Sequence, residues 1–97
     1  MDKEIIWRKK AIGQLNALSD FLKSEWGERV ALEFIDILER RVNILTSFPL
    51  AGRKLYRGKA YRKLILTQHN FLLYLIKKDK IIIIAIEDTR QKPKYTY

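Results

Sequence analysis

The sequence predicts an α+β fold in which an N-terminal helical hairpin packs on a small, mainly antiparallel sheet. In the first half of the chain, apolar residues recur every three or four positions, which is the period of one face of a helix. The second half instead contains short runs of aliphatic and aromatic residues, which are typical of strands. A chain of 97 residues can bury one hydrophobic core, so we expect a single domain over residues 1–97.

The helical hairpin is predicted over about residues 8–47. The first helix lies between Trp7 and Gly27, because glycine closes a helix without steric cost. The second helix follows at once and ends before Pro49. Since the link is short, the helices should be antiparallel, each with an apolar stripe on a common core. The two stripes are Ile12, Leu15, Leu18 and Leu22, and then Ala31, Phe34, Ile35, Leu38, Val42 and Leu45. Trp7 and Trp26, at the ends of the first helix, are interpreted as packing residues.

A basic loop is predicted next, over about residues 48–60. The stretch TSFPLAGRKLYRGKA, residues 46–60, contains one proline and two glycines and shows neither a helical nor a strand period. Loops of this length in small domains are usually functional or mobile. We therefore look for a site here first.

Three antiparallel strands in a meander are predicted over about residues 61–87. They correspond to the runs YRKLILT, FLLYLI and IIIIAIE, which are separated by QHN and KKDK. EIIW at residues 4–7 could pair as another strand. IIIIAI lacks polar alternation, which indicates a strand covered on both faces. The helices would cover one face, and the C-terminal tail, residues 88–97, or a partner would cover the other.

The positive charge is concentrated in the middle of the chain. The net charge is +9, and residues 40–78 contain ten basic residues and no acidic one. This distribution favours an anionic partner such as nucleic acid, an acidic protein or an anionic membrane surface. The candidate RNA- or anion-binding residues are Arg53, Lys54, Arg57, Lys59, Lys63, Tyr56 and Tyr61. The tyrosines could stack on unpaired bases or anchor the loop to the core.

Composition excludes several other classes of site. The chain has no cysteine, which excludes disulfides, thiolate metal sites and cysteine nucleophiles. The N-terminal residues do not have the pattern of a signal peptide, and IIIIAI is too short to cross a bilayer as a helix. We therefore expect a cytoplasmic protein.

The order of these features resembles the RelE/ParE superfamily, the toxins of bacterial type II toxin–antitoxin systems. The matching segments are ILTSFPLAGRKL, then YRKLIL, FLLYLI and IIIIAIEDTRQKP, and the resemblance covers nearly the whole chain. It implies a cognate antitoxin with an acidic, partly disordered segment. It also implies a ribosome-dependent mRNA endoribonuclease, with the ribosome and mRNA as partners. The alternatives are a non-enzymatic inhibitor of DNA gyrase, and an inactive family member that only binds.

The resemblance also implies candidate catalytic residues. Arg62 matches the arginine that opens a strand in the family, and Arg90 matches the basic position after the last strand; both would bind the scissile phosphate. Tyr95 is the nearest equivalent of the proton-transfer residue near the C-terminus, provided that nearby cations lower its pKa. Cleavage through the ribose 2′-hydroxyl needs such a base, an acid and cations. We expect it to need no metal and no cofactor.

Each of these residues also has a structural interpretation. Arg62 could form an ion pair with Glu33 or Glu39, and Arg90 could pair with Asp88. Tyr95 could cover the exposed face of the sheet. His69, in the predicted QHN turn, is interpreted as a solvated turn residue, although the intrinsic pKa of histidine suits proton transfer.

Overall fold

The computed structural model describes residues 3–55 and 60–88, which form two helices on one face of a five-stranded mixed sheet. The elements are β1 (Glu4–Trp7), α1 (Lys9–Trp26), α2 (Glu28–Ser47), a 3₁₀ helix (Pro49–Ala51), β2 (Arg53–Lys54), β3 (Tyr61–Ile65), β4 (Asn70–Lys77) and β5 (Lys80–Asp88). The strand order is β1-β5-β4-β3-β2. Strands β3, β4 and β5 form the predicted antiparallel meander, and β1 pairs with β5 in parallel. The predicted α+β class is therefore confirmed.

Gly27 is the whole link between the two helices. Its φ of 97° is a conformation that side chains with a Cβ rarely adopt, and its N–H donates to the carbonyl of Lys23 over 3.0 Å. The next residue, Glu28, already begins α2. The hairpin therefore turns within one residue, as its sequence predicts.

The main core lies between the helices and one face of the sheet. The stripe predicted for α2 is confirmed, because all six residues are buried or pack against the buried cluster. The stripe of α1 differs at one position, since Ala11 is fully buried and Ile12 is 44% exposed. Both fit a helical period, and the smaller side chain, Ala11, is the one that belongs to the buried cluster. No described helix is long and apolar enough to span a membrane.

β5 is the central strand that its uniform apolar sequence predicts. It lies between β1 and β4, with Ile81 and Ile83 in the core under the helices. Opposite β4 the register shifts, because Leu73 pairs with Ala85 but Tyr74 pairs with Ile83. The extra residue, Ile84, is a β-bulge. It forms a second buried cluster with Leu73 and Ala85 on the other face, packed by Leu55, Tyr61, Leu75 and Ile82. The C-terminal tail, predicted to cover this face, lies outside the described residues.

The stretch predicted to be an irregular loop contains two short elements. The 3₁₀ helix starts at Pro49, which has the fixed φ that such a turn needs. Arg53 and Lys54 then form β2 at the edge of the sheet. Two residues are too few to show a strand period, so only their pairing with β3 reveals the strand.

Gln14 connects α1 to β5 beyond the end of β1. The pairing of β1 with β5 stops at Trp7, opposite Ile83. The N–H of Ile86 donates instead to the side-chain oxygen of Gln14 over 2.8 Å, and the Gln14 amide donates to Glu87 over 3.1 Å. One side chain thus replaces the missing strand partner.

We predict that Gln14→Ala lowers the free energy of unfolding by about 1–3 kcal/mol, because the N–H of Ile86, next to the core, loses its acceptor. Asn16→Ala, an exposed position on the same helix, is the matched control and should change stability little. Urea unfolding followed by circular dichroism measures both. Equal effects of the two substitutions would contradict this role of Gln14.

Candidate functional site

The pairing of β2 with β3 separates the predicted cations into two groups. Arg53 pairs with Lys63, and Lys54 pairs with Arg62. Residues that pair directly across strands have side chains on the same face, and successive residues alternate between faces. Arg53 and Lys63 therefore share one face of this edge, and Lys54 and Arg62 share the other.

A depression at the β2–β3 edge is lined by Arg53, by Lys63 and by Arg41 of α2. This cationic depression has a volume of about 400 Å³ and is also lined by Ala51, Leu64 and Ile65. The ion pairs Arg29–Glu33 and Arg40–Asp36, both within residues 3–55, involve none of these three cations. The Lys63 ammonium instead lies 4.4 Å from the centre of the Phe71 ring. Three charges without a carboxylate partner in the described structure make this depression suited to bind an anion.

Arg62 has a different environment from these cations. It is half-buried, and its Nη1 donates to the carbonyl of Gly52 over 2.7 Å. Among the described residues, no carboxylate forms an ion pair with Arg62, and Glu33 pairs with Arg29. One of its five N–H donors thus holds the backbone of the 48–55 segment.

The hydroxyl of Tyr74 holds the same segment from inside the core. Tyr74 is fully buried; its hydroxyl donates to the carbonyl of Pro49 over 2.7 Å and accepts from the N–H of Gly52 over 2.8 Å. Burial raises the pKa of Tyr74, and the hydrogen bond from Gly52 and the charge of Arg62 oppose this rise. The phenol is therefore protonated at neutral pH and serves as a structural group.

Gly52 is required where it lies because of close approach. A Cβ on this residue would come within 2.6 Å of the Tyr74 side chain and 2.9 Å of the Lys63 carbonyl oxygen. Its φ of −79° is ordinary, so space and not backbone conformation restricts this position. In the sequence, Gly52 is one of the two glycines of the predicted basic loop, and no pattern there indicates this close approach.

The other predicted site residues are dispersed or not described. Tyr61 is half-buried and packs against the second apolar cluster. His69 is exposed in the β3–β4 turn and lines a different depression, between the end of α1 and the strand ends. Tyr56, Arg57, Lys59, Arg90 and Tyr95 lie outside the described residues. In the described part of the chain, no three His, Asp or Glu side chains cluster as a metal site would require.

Sequence reasoning missed three features of this region. Arg41 falls on the polar side of α2 in the sequence pattern, and only the tertiary structure places it at the depression, together with Ala51 of the 3₁₀ helix. Phe48 and Leu50 are each 68% exposed. Their exposure could have been predicted from the sequence, because these apolar residues of SFPLAG follow the last position that fits the helical period. Trp26, interpreted as a packing residue, is 70% exposed, so that interpretation was wrong.

Comparison with known proteins shows the family of this chain, and several solved structures share its fold. Residues 5–93 match the family described as the ParE toxin of the type II toxin–antitoxin system parDE. A chromosomal ParDE toxin–antitoxin system from P. aeruginosa is similar in structure, with a TM-score of 0.75 and 24% identity over 89% of this chain and 95% of that one. The RelBE2 toxin–antitoxin complex from Mycobacterium tuberculosis gives 0.65, 16% identity, and 91% and 99% coverage. A YoeB/ParE toxin from Agrobacterium tumefaciens gives 0.64, 11%, and 88% and 97%. A search of curated protein sequences gives no match.

We predict that Gly52→Ala lowers the free energy of unfolding by about 1–3 kcal/mol, because a methyl group overlaps the Tyr74 ring. Gly13→Ala is the matched control: Gly13 lies within α1 and has no atom within 4 Å of an added Cβ. Alanine should raise stability there by up to about 1 kcal/mol. Opposite signs in urea unfolding are expected, and two changes of the same sign would contradict the packing argument.

We further predict that Tyr74→Phe lowers the free energy of unfolding by about 1–3 kcal/mol at neutral pH, because the N–H of Gly52 loses its acceptor. The pKa of Tyr74 is higher in the folded chain than the 10.0 of an unperturbed tyrosine. Above pH 10 the unfolded chain therefore loses this proton before the folded chain does, and wild-type stability falls.

The phenylalanine variant lacks this proton, so the stability difference between the two proteins should narrow as pH rises above 10 and stay constant between pH 6 and 9. Unfolding curves across this range measure the difference. A gap that widens with alkali would show that the sign of the pKa shift is wrong.

Proposed function

Because this chain belongs to the ParE family, the toxins of type II toxin–antitoxin systems, we propose that it acts by binding DNA gyrase and not by cleaving RNA. One observation carries the proposal. The cationic depression offers three cations for an anion, but no group positioned for proton transfer lines it within the described residues. An inhibitor needs a binding surface only, whereas cleavage through a 2′-hydroxyl also needs a base and an acid.

The described residues that could move a proton are placed elsewhere. The Tyr74 hydroxyl is buried, makes two backbone hydrogen bonds and has a raised pKa. His69 lines a different depression, at the C-terminal end of α1. Glu87 accepts a hydrogen bond from Gln14 on β5. This distribution supports binding over catalysis.

Arg62 also supports a binding role. The resemblance assigns it to the scissile phosphate, but its guanidinium donates to the Gly52 carbonyl. In this position Arg62 holds the 48–55 segment, which carries Arg53 next to the depression. We therefore assign Arg62 to positioning, and Arg41, Arg53 and Lys63 to anion binding on the target, with Lys54 on the opposite face of the edge.

Ribosome-dependent cleavage of mRNA, which the resemblance implies, is the alternative. It depends on Arg90 and Tyr95, which lie outside the described residues. Both activities belong to the superfamily that the sequence resembles, so the fold itself does not select between them.

The test combines two assays on the same protein. We expect the purified chain to block supercoiling of relaxed plasmid by DNA gyrase, and to leave mRNA 5′ ends unchanged when expressed in translating cells. Arg41→Glu with Arg53→Glu should weaken gyrase inhibition by about tenfold or more, because repulsion replaces attraction to the anion.

Lys9→Glu with Lys23→Glu is the control, since it makes the same change in net charge at exposed positions of α1. It should retain inhibition to within about twofold if charge acts locally. New ribosome-dependent mRNA ends together with normal supercoiling would overturn the proposal and establish the ribonuclease. Equal losses in both double variants would show that net charge, and not the depression, is responsible.

A further inference from the structure

The end of α2 and the 3₁₀ helix expose apolar side chains next to the cationic depression. Phe48 and Leu50 are each 68% exposed, Ile44 is 41% exposed, and all three line an apolar depression of about 530 Å³. Ala51 lines both the apolar and the cationic depression, so the two adjoin. We refer to them together as the composite surface. Clustered apolar side chains exposed to water, unlike single ones, mark surfaces that bind a partner.

The turn between α1 and α2 has the complementary chemistry. Its sequence, EWGE at residues 25–28, places Trp26 between two carboxylates. Trp26 is 70% exposed and Phe21 is 55% exposed, and both line a depression of about 540 Å³. Residues 20–28, which we call the hairpin tip, contain three carboxylates and one lysine in a chain whose net charge is +9. The hairpin tip is therefore acidic and aromatic, whereas the composite surface is basic and apolar.

The hairpin tip and the apolar depression of one copy cannot meet, because they lie at opposite ends of α2. This helix has 20 residues, and at about 1.5 Å per residue it is about 30 Å long. If this chain supplies the partner of its own composite surface, that partner must belong to a second copy.

One side of α2 connects the two ends. Val30, Ile37, Arg41, Ile44 and Phe48 follow one another at steps of seven, four, three and four residues, and this spacing puts them on the same side of the helix. Val30 lines the depression at the hairpin tip, and Ile44 and Phe48 line the apolar depression. Apolar side chains therefore extend along this side of α2 from the tip to the composite surface, interrupted only by Arg41.

We infer that two copies of this chain pack antiparallel along this side of α2 as a two-fold dimer, with the hairpin tip of each on the composite surface of the other. Trp26 enters the apolar depression at Phe48 and Leu50, and the carboxylates that flank Trp26 meet the cations of the cationic depression. A buried tryptophan supplies affinity, and complementary charges set the orientation. The two-fold axis makes the two contacts identical, so each dimer contains both.

The charges of the two ends favour this arrangement over other pairings. Two hairpin tips in contact bring carboxylates together, and two composite surfaces bring cations together, so both pairings are repulsive. The net charge of +9 opposes association as a whole, but at physiological salt exposed charges more than about 8 Å apart are largely screened. The charges at the interface therefore decide. A nucleic acid fits less well, because it leaves Trp26 and Phe48 in water.

The dimer does not rest on the proposed target, since neither DNA gyrase nor RNA takes part in it. It covers the cationic depression of both copies. Self-association and anion binding therefore compete for one surface, and a copy must leave the dimer before its cations can bind an anion.

Sedimentation equilibrium of the full chain between about 1 and 500 µM measures the dissociation constant of the dimer. We expect a reversible equilibrium between monomer and dimer in this range. Trp26→Ala should raise the dissociation constant about tenfold or more, because the dimer loses its anchor. Ile12→Ala is the matched control, since Ile12 is 44% exposed and lies about 20 Å from Trp26 along α1. It should change the dissociation constant by less than about threefold. Circular dichroism establishes that each variant is folded.

A charge-reversal experiment tests which surfaces pair. Glu25→Lys with Glu28→Lys reverses the hairpin tip, and Arg41→Glu with Arg53→Glu reverses the composite surface. Each double variant alone should remain monomeric, because its tip and its composite surface then carry like charge. An equimolar mixture of the two should form dimers, because both contacts between unlike copies are again attractive.

Several outcomes would overturn the inference. A wild-type chain that stays monomeric throughout the range contradicts it, as does Trp26→Ala with an unchanged dissociation constant. Dimers of either charge-reversed variant alone would show that another surface mediates association. A mixture that stays monomeric while the wild type dimerises would refute the pairing of tip with composite surface, and assemblies that grow beyond a dimer would refute the two-fold arrangement.

Discussion

The arrangement of the surface around the turn between α2 and β2 depends on the hydrogen bonds of the Tyr74 hydroxyl. This hydroxyl accepts from Gly52 and donates to Pro49, so one buried phenol holds both ends of the turn between α2 and β2. Arg62 adds a third hydrogen bond to the same turn, at the carbonyl of Gly52. These contacts satisfy backbone groups that would otherwise be buried without a partner. They also set where Phe48, Leu50 and Arg53 emerge.

This constraint explains why a polar network lies beside the apolar core. Tyr74 is fully buried and belongs to the main cluster, and an unpartnered hydroxyl there would be costly. The carbonyl of Pro49 accepts from this hydroxyl and the N–H of Gly52 donates to it. The same two hydrogen bonds fix the turn, which has no long secondary-structure element of its own. A rigid turn is what allows two exposed apolar residues and a cation to present a constant shape to a partner.

The separation of functions between strand neighbours is the second consequence. Arg53 and Arg62 lie on the paired strands β2 and β3. Arg53 lines the cationic depression, whereas Arg62 donates to the backbone carbonyl of Gly52. Composition treats them as equivalent. Their difference arises because β2 and β3 alternate side chains between faces, so adjacent cations cannot all serve one ligand.

The sequence by itself determined the helical hairpin, the meander and the excess of positive charge. These follow from local patterns: the three- and four-residue period of α2, the glycine between the helices, and apolar runs such as IIIIAI, each of which is visible without knowing any neighbour in space. Only the tertiary structure decided how the site is assembled. Contacts between residues distant in the chain determine the two-residue β2 and the β-bulge at Ile84. They also determine that Ala11 is buried and not Ile12, and that Arg41 and Arg53 line the same depression. A linear pattern can specify which face of an element is apolar, but the distance between two elements is set by packing, and that distance decides which cations share one depression.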